Sequence, residues 1–132
     1  MRKIAVVTGA TSGIGQATAI KLAENGYDLV ITGRRAERLS ELEEKLRKIG
    51  ADVLSLCFDV RSFEQVKDNL GNLSGKWSDI DVLVNNAGGA LGKEPIQDGS
   101  IEDWDTMIDT NVKGLLYVTK TLLPKMCQNH KG

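Results

Sequence analysis

Three glycines, two adjacent arginines and one asparagine have types and spacings that could do chemistry. Gly9, Gly13 and Gly15 lie in Gly9-Ala10-Thr11-Ser12-Gly13-Ile14-Gly15, directly after the apolar run Ile4–Thr8 and directly before a helical pattern. Glycines at such a turn allow a tight bend, close approach of a phosphate to backbone N–H groups, and close packing of helix on strand. Thr11 or Ser12 can cap the helix, whose free N–H groups and positive dipole end then face an anion. The spacing is GxxxGxG rather than GxGxxG, and no Gly-Lys-Ser/Thr follows, so this is not a Walker loop. A glycine triplet also suits a plain strand-to-helix turn. Its place at the first strand–helix junction favours binding of a dinucleotide.

The end of the second apolar run indicates which dinucleotide. A site for NAD usually carries a carboxylate roughly 20 residues past the glycines, to bind the ribose 2′-OH. Here that place reads Thr32-Gly33-Arg34-Arg35. Gly33 removes the acid, and Arg34 and Arg35 put two guanidiniums where a 2′-phosphate would lie, which favours NADP. The alternative is that one arginine is only a surface residue at a helix start. Asn111 stands out for another reason. Trp104, Ile108, Leu115, Val118, Leu122 and Met126 form an apolar stripe at helical spacing, and Asn111 falls in its middle at about 100° per residue. A polar group there must find partners or cost free energy. Backbone neighbours could satisfy the amide, or the helix could be distorted locally.

These residues need elements to hold them. Ile4–Thr8, Leu29–Thr32, Val53–Cys57 and Val82–Val84 are continuous apolar runs, as expected of strands covered on both faces. Between them run helical patterns. Gly13, Ala17, Ile20 and Ala23 mark the first. Ala36, Leu39, Leu42, Leu46 and Ile49 mark the second, closed by Gly50 at a C′ position. Phe63, Val66, Leu70 and Leu73 follow Ser62, and Ser62-Phe63-Glu64-Gln65 has the form of a capping box. Ser100 starts a last, long helix in which Pro124 points away from the stripe. The order β-α-β-α-β-α-β-α predicts an α/β fold, a doubly wound parallel sheet of Rossmann type in a single domain over residues 1–132.

Composition sets the outer limits. The 132 residues are 41% hydrophobic and 27% charged, enough for one domain with a real core. Net charge is −1, so no nucleic-acid partner is expected. Residues 1–51 hold nine basic and six acidic groups, residues 52–112 four and twelve, and residues 113–132 four and none, which reads as solvated helix faces. Two cysteines without CxxC spacing fit a reduced, cytoplasmic compartment, with no metal site. No run is long enough for a signal core or a membrane span. Trp77, Trp104, Cys57 and Cys127 read as packing residues, and the lone His130 as no site.

Four motifs taken in order resemble the classical short-chain dehydrogenases/reductases, over all 132 residues. Thr8–Gly15 is similar to that family's TGxxxGIG. Asp59-Val60, after the third strand, resembles its adenine-contact pair. Asn85-Asn86-Ala87-Gly88 is similar to its NNAG, and Asn111 in Asp109-Thr110-Asn111-Val112 matches its active-site asparagine. Thr32–Arg35, Leu91–Pro95 and Glu102–Thr110 further resemble the NADP-dependent 3-hydroxy acid (serine-type) dehydrogenases. The resemblance implies a strand order 3-2-1-4 and a cofactor site of Gly9, Thr11, Ser12, Gly13, Ile14, Gly15, Arg34, Arg35, Asp59 and Val60, with the Asn86-Ala87-Gly88 backbone as a wall. It implies that Asn111 kinks its helix and holds a water of the proton relay.

The family's acid/base pair is Tyr-x-x-x-Lys, helped by a serine, beyond a fifth strand. Here Tyr27 is followed four residues later by Ile31 and Tyr117 by Thr121, so neither fits. The expectation is therefore the cofactor-binding half of an NADP-dependent oxidoreductase acting on a small alcohol such as a 3-hydroxy acid, inactive by itself. The alternative is a free-standing nucleotide-binding or self-associating module without catalysis. An apolar fourth strand left at the sheet edge, and a long helix that forms the dimer in the family, predict a homo-oligomer.

Overall fold

A computed structural model describes residues 2–11 and 13–132; the expected roles of Ser12 lie outside the described residues. Four strands, β1 (Lys3–Val7), β2 (Tyr27–Gly33), β3 (Val53–Cys57) and β4 (Val82–Val84), form one parallel sheet in the order 3-2-1-4. That is the expected order. The side-chain period of two sends alternate residues of each strand to opposite faces, and both faces are apolar. Ala5, Val7, Leu29 and Ile31 meet α1 (Gly13–Glu24) and α2 (Ala36–Ile49), which present Ala19, Ala23, Leu39, Leu42 and Leu46. Ile4, Val6 and Val30 meet α3 (Phe63–Leu70) and α5 (Leu115–Gln128), which present Val66, Leu70, Val118, Leu122 and Met126. Each fully buried leucine stabilises this layering by roughly 1.5–3 kcal/mol.

Local chemistry sets the helix ends. Gly50 closes α2 in the left-handed conformation at φ 105°, its N–H reaching Arg47 O at 3.0 Å while Ala51 N–H reaches Leu46 O. Ser62 caps α3 by accepting from Gln65 N–H at 3.3 Å. The reciprocal half of the capping box is not made: Gln65 Oε1 accepts from Asp59 N–H instead. Ser100 caps α4 (Ile101–Ile108) in the same way, accepting from Asp103 N–H.

Two expectations change. The sheet-facing row of α1 is Gly15, Ala19 and Ala23, whereas Gly13 and Ala17 are exposed. The smallest side chains at four-residue spacing let this helix lie close on the sheet. The last helix is not continuous. A π segment, Asp109–Gly114, separates α4 from α5, and the extra residue per turn rotates everything before it away from the core. Val118, Leu122 and Met126 are buried as the stripe requires, but Trp104, Ile108 and Leu115 are 40%, 53% and 42% exposed. Trp77 packs against the second core cluster as expected, whereas Cys57 and Cys127 are free and exposed rather than packed. Pro124 lies on the exposed side of α5, as expected.

The N-terminal ends of the strands are pinned by ion pairs. Asp28, only 4% exposed, accepts from Arg2 Nε at 2.7 Å, Lys76 Nζ at 3.1 Å and Asp52 N–H at 2.9 Å. Asp81 accepts from Ile4 N–H at 2.8 Å and pairs with Lys131 at 3.0 Å. Burial by itself would raise both carboxyls, but these donors outweigh it and hold both below the ordinary value. The opposite, C-terminal ends of the strands are left open.

Candidate functional site

A cleft of about 410 Å³ opens over the C-terminal ends of the strands, where the chain has crossed from the β3 side of β1 to the β4 side. Such switch points are where open parallel sheets hold ligands. Gly9, Thr11, Gly13 and Ile14 line it from the glycine loop, Arg34 and Arg35 from the end of β2, Asp59 and Val60 from the end of β3. Asn86, Ala87 and Gly88 form the wall beyond β4. Every expected cofactor residue among those described lines this one cleft except Gly15.

Gly15 lies beneath the loop and works from there. A Cβ on it would fall inside hard contact with Asn86 Nδ2 and Gly9 O, so only glycine lets α1 start here. Gly9 has φ +60°, and a Cβ there would stand 2.7 Å from Ala87 Cα. The loop and the β4 wall are therefore in backbone contact. Hydrogen bonds fix that contact. The buried Thr8 Oγ1 accepts from Asn86 N–H and Ala87 N–H, both at 3.0 Å, and Asn86 Nδ2 donates to Gly9 O at 2.9 Å. On the other flank, Ala10 N–H donates to Thr32 O at 3.0 Å. The amide that ties the end of β4 to the glycine loop is thus Asn86. Asn85 points to α5, where Nδ2 donates to Thr119 Oγ1 at 3.0 Å and Oδ1 is buried with no protein partner.

The charges divide sharply. Arg34 and Arg35 are exposed on the cleft, and among the described residues neither is in an ion pair. Asp59 is gripped by Arg61, with Nη2 at 2.7 Å from Oδ2 and Nε at 3.0 Å from the same oxygen. That grip, with the nearby charge of Arg34, holds the Asp59 carboxyl below its ordinary value. Ile14 stands 79% exposed at the cleft mouth, an apolar surface above a polar floor.

Asn111 does not line the cleft; its neighbour Thr110 does. Within the π segment, Asn111 Nδ2 donates to Gly89 O at 2.8 Å and Oδ1 accepts from Gly89 N–H at 2.9 Å. Both alternatives for this residue are therefore realised together: the helix is distorted and backbone satisfies the amide. Its side chain fastens the loop beyond β4 rather than pointing into open space. Sequence reasoning did not place Thr32, Phe58 and Thr110 in the cleft wall, and it named Thr8 only within a motif. The double acceptor role of Thr8 has a readable sign, a threonine ending a buried strand just before the glycines.

The arrangement can bind a long anionic ligand: an amide-rich glycine loop at a helix start, two free guanidiniums beyond it, and an apolar wall. Among the described residues it contains no tyrosine placed as a proton donor. Tyr117 packs at a tilt of 57° against Phe63, ring centres 5.3 Å apart, on the α3–α5 side, and Tyr27 begins β2 at the far end of the sheet. Among the described residues no cluster could hold a metal ion, and no helix is long and apolar enough to cross a membrane.

Comparison with known proteins agrees with this geometry. The family model for short chain dehydrogenases matches residues 3–132. The NADP-dependent 3-hydroxy acid dehydrogenase YdfG of Salmonella typhi is 49% identical over 129 residues, 98% of this chain and 51% of its own. Sulfoacetaldehyde reductase 2 of Chromohalobacter salexigens is 44% identical over 132 residues, 100% of this chain and 52% of its own. Among solved structures, serine dehydrogenase from Escherichia coli superposes with TM-score 0.91 at 45% identity, over 98% of this chain and 58% of that one. NAD+-bound xylitol dehydrogenase gives 0.94 at 33%, over 98% and 50%. The chain spans about half the length of the curated relatives it matches.

Proposed function

The chain belongs to the short-chain dehydrogenase family, and from that premise we propose that it binds NADP and forms the cofactor-binding part of an oxidoreductase acting on the CH–OH group of a small alcohol, a 3-hydroxy acid or a similar molecule. One observation carries the choice of cofactor. At the end of β2, where a carboxylate would bind the ribose 2′-OH, Gly33 offers no side chain, and the unpaired Arg34 and Arg35 face the cleft. Several relatives are named as NADP-dependent, and a solved serine dehydrogenase holds NADP+.

In this reading Gly9, Thr11, Gly13 and Ile14 cradle the pyrophosphate, together with Ser12, and Gly15 keeps the cradle closed. Arg34 and Arg35 take the 2′-phosphate. Asp59 and Val60 border the adenine, and Asn86, Ala87 and Gly88 form the wall toward the nicotinamide. The nicotinamide, when bound, supplies the hydride chemistry. This chain's residues bind it, orient it and exclude water from one side. Asn111 acts on the reaction by holding the Gly88–Gly89 loop through its two bonds to Gly89. A proton for the substrate oxygen needs a placed acid, and loss of one typically costs about 10² to 10⁴ in rate. The polypeptide of these 132 residues has no Tyr-x-x-x-Lys, so it should bind cofactor without appreciable turnover by itself.

We place the protein in the cytoplasm, where two free exposed cysteines stay reduced. It self-associates through the open edge of β4 or the apolar face of α4 and α5, where Ile108, Leu115 and Leu116 are exposed. The test is titration of the purified protein with NADPH and NADH by nucleotide fluorescence. NADPH should bind at least about tenfold more tightly, since a hydrogen bond to a charged group contributes about 1.5–3 kcal/mol. Arg34→Ala with Arg35→Ala should abolish the difference. Equal affinities in the parent protein would refute the NADP reading.

A further inference from the structure

We propose that Arg61 is a positioning residue for cofactor choice: it neutralises and anchors the Asp59 carboxylate, leaving Arg34 and Arg35 free for a second anion at the end of β2. The inference rests on the NADP reading above.

Asp59 shares the cleft wall with Arg34 and Arg35, and the charge of Arg34 reaches its carboxylate. Left to itself, that carboxylate would compete with the 2′-phosphate for these arginines. Arg61 prevents this from outside the wall. Its Nε lies 3.2 Å from Oδ1 and 3.0 Å from Oδ2, and its Nη2 lies 2.7 Å from Oδ2. Its own backbone N–H donates to Oδ1 at 2.9 Å, and Ser62 N–H closes the turn onto Asp59 O at 3.1 Å. Both carboxylate oxygens are thus committed to a fork of fixed geometry, which lysine could not reproduce. Gln65 Oε1, accepting from Asp59 N–H, holds the backbone from the helix side.

A second carboxylate is handled in the same way. Asp109, which adds to the field on Arg61, is paired with Lys113 at 3.5 Å. Asp59 and Asp109 therefore each have their own cation, and among the described residues Arg34 and Arg35 are in no ion pair. Arg61 does this without lining the cleft, so its effect reaches the nucleotide only through Asp59.

The experiment measures the ratio of NADH to NADPH dissociation constants, in which any contact of Asp59 with the shared adenosine cancels. Arg61→Ala should lower the preference for NADPH about three- to fivefold, the scale of an exposed charge interaction. Asp59→Asn combined with Arg61→Ala removes the competing carboxylate and should restore the ratio to within about twofold of the parent. Arg61→Lys, which keeps the charge and loses the fork, should fall between. An unchanged ratio in Arg61→Ala overturns the inference. So does a double variant as impaired as Arg61→Ala, because Arg61 would then be acting on the nucleotide directly. A parent protein without preference for NADPH defeats the NADP reading itself, and this inference with it, before any variant is compared.

Discussion

Gly15→Ala sets two physical effects against each other. Alanine is a better helix former than glycine by about 0.8–1 kcal/mol, so propensity alone predicts a more stable protein. The packing predicts the reverse. The new methyl would press into Asn86 Nδ2 and Gly9 O and stand 3.1 Å from the Gly9 carbonyl carbon. Carbon contacts relax at about 3.5–4.0 Å, so α1 must lift by at least about half an ångström. Neither neighbour can simply yield. The Asn86 backbone is held by the Thr8 hydroxyl and its Nδ2 by Gly9 O, and Gly9 is already in a left-handed turn against Ala87. Overpacking costs about 1–3 kcal/mol, and losing the Asn86–Gly9 bond about 1 kcal/mol more. Set against the propensity gain, the net is a loss of about 1–3 kcal/mol. Urea unfolding at 25 °C reads this as a midpoint lower by roughly 1 M. Ala17→Gly, on the exposed side of the same helix, calibrates propensity alone at about 1 kcal/mol. Adding Asn86→Ala to Gly15→Ala relieves one of the two clashes, so the pair should cost less than the sum. If Gly15→Ala unfolds at the same urea concentration as the parent or higher, the close approach described here is wrong.

Two further outcomes follow from named groups. The Asp28 and Asp81 carboxyls lie below their ordinary value of 3.8 in the folded protein, so their contribution is fully present above that value. It is lost as pH falls through the lower folded values. The urea midpoint should accordingly decline below about pH 4, and Asp28→Asn should start lower at neutral pH and decline less steeply in acid. A variant whose acid slope matches the parent would show that Asp28 is not the group titrating. Asn111→Ala hands the exposed Gly89 N–H and C=O to water and should destabilise by about 1 kcal/mol. Hydrogen exchange at the Gly89 amide should speed up in that variant, and an unaltered rate would count against the fastening role.

Much of the scaffold was legible because its signals are redundant. The bounds of α2 and β3 followed from an apolar period ending at Gly50 and a short apolar run between turns. The strand order came with the motif resemblance, since hydrophobic runs alone do not say which strands are neighbours. Of the row expected on α1, Ile20 and Ala23 meet the core and Gly13 and Ala17 do not, because glycine and alanine count as apolar wherever they fall. Which of them meets the sheet depends on how closely the helix approaches, set by Gly15 against Asn86. The stripe along α4 and α5 failed for a different reason. A regular 100° step cannot foresee the residue inserted in the π segment, which changes the phase of Trp104 and Ile108; Leu115, on the α5 side, is exposed for no such reason. In the site, the side chains with charge or motif were found, and Thr32, Phe58 and Thr110 were not. Those three enter the wall only because strand ends and the π segment converge there.

The brace between Thr8 and the Asn86–Ala87 backbone also has a meaning in time. Ala5 pairs with Leu29 on one side and with Val82 on the other, so the two ladders close loops of 24 and 77 residues. The longer closure costs only about 1 kcal/mol more, so the constraint falls on schedule rather than on stability. A nascent chain can pair β1 with β2 and lay α1 on them long before β4 has been synthesised. During that interval Thr8 has no N–H groups to accept, and the carbonyl of Gly9 has no amide to hold it. The glycine turn is then held on the β2 side alone, by Ala10 N–H on Thr32 O. Under the proposed function, the cradle for a nucleotide is complete only once β4 has docked.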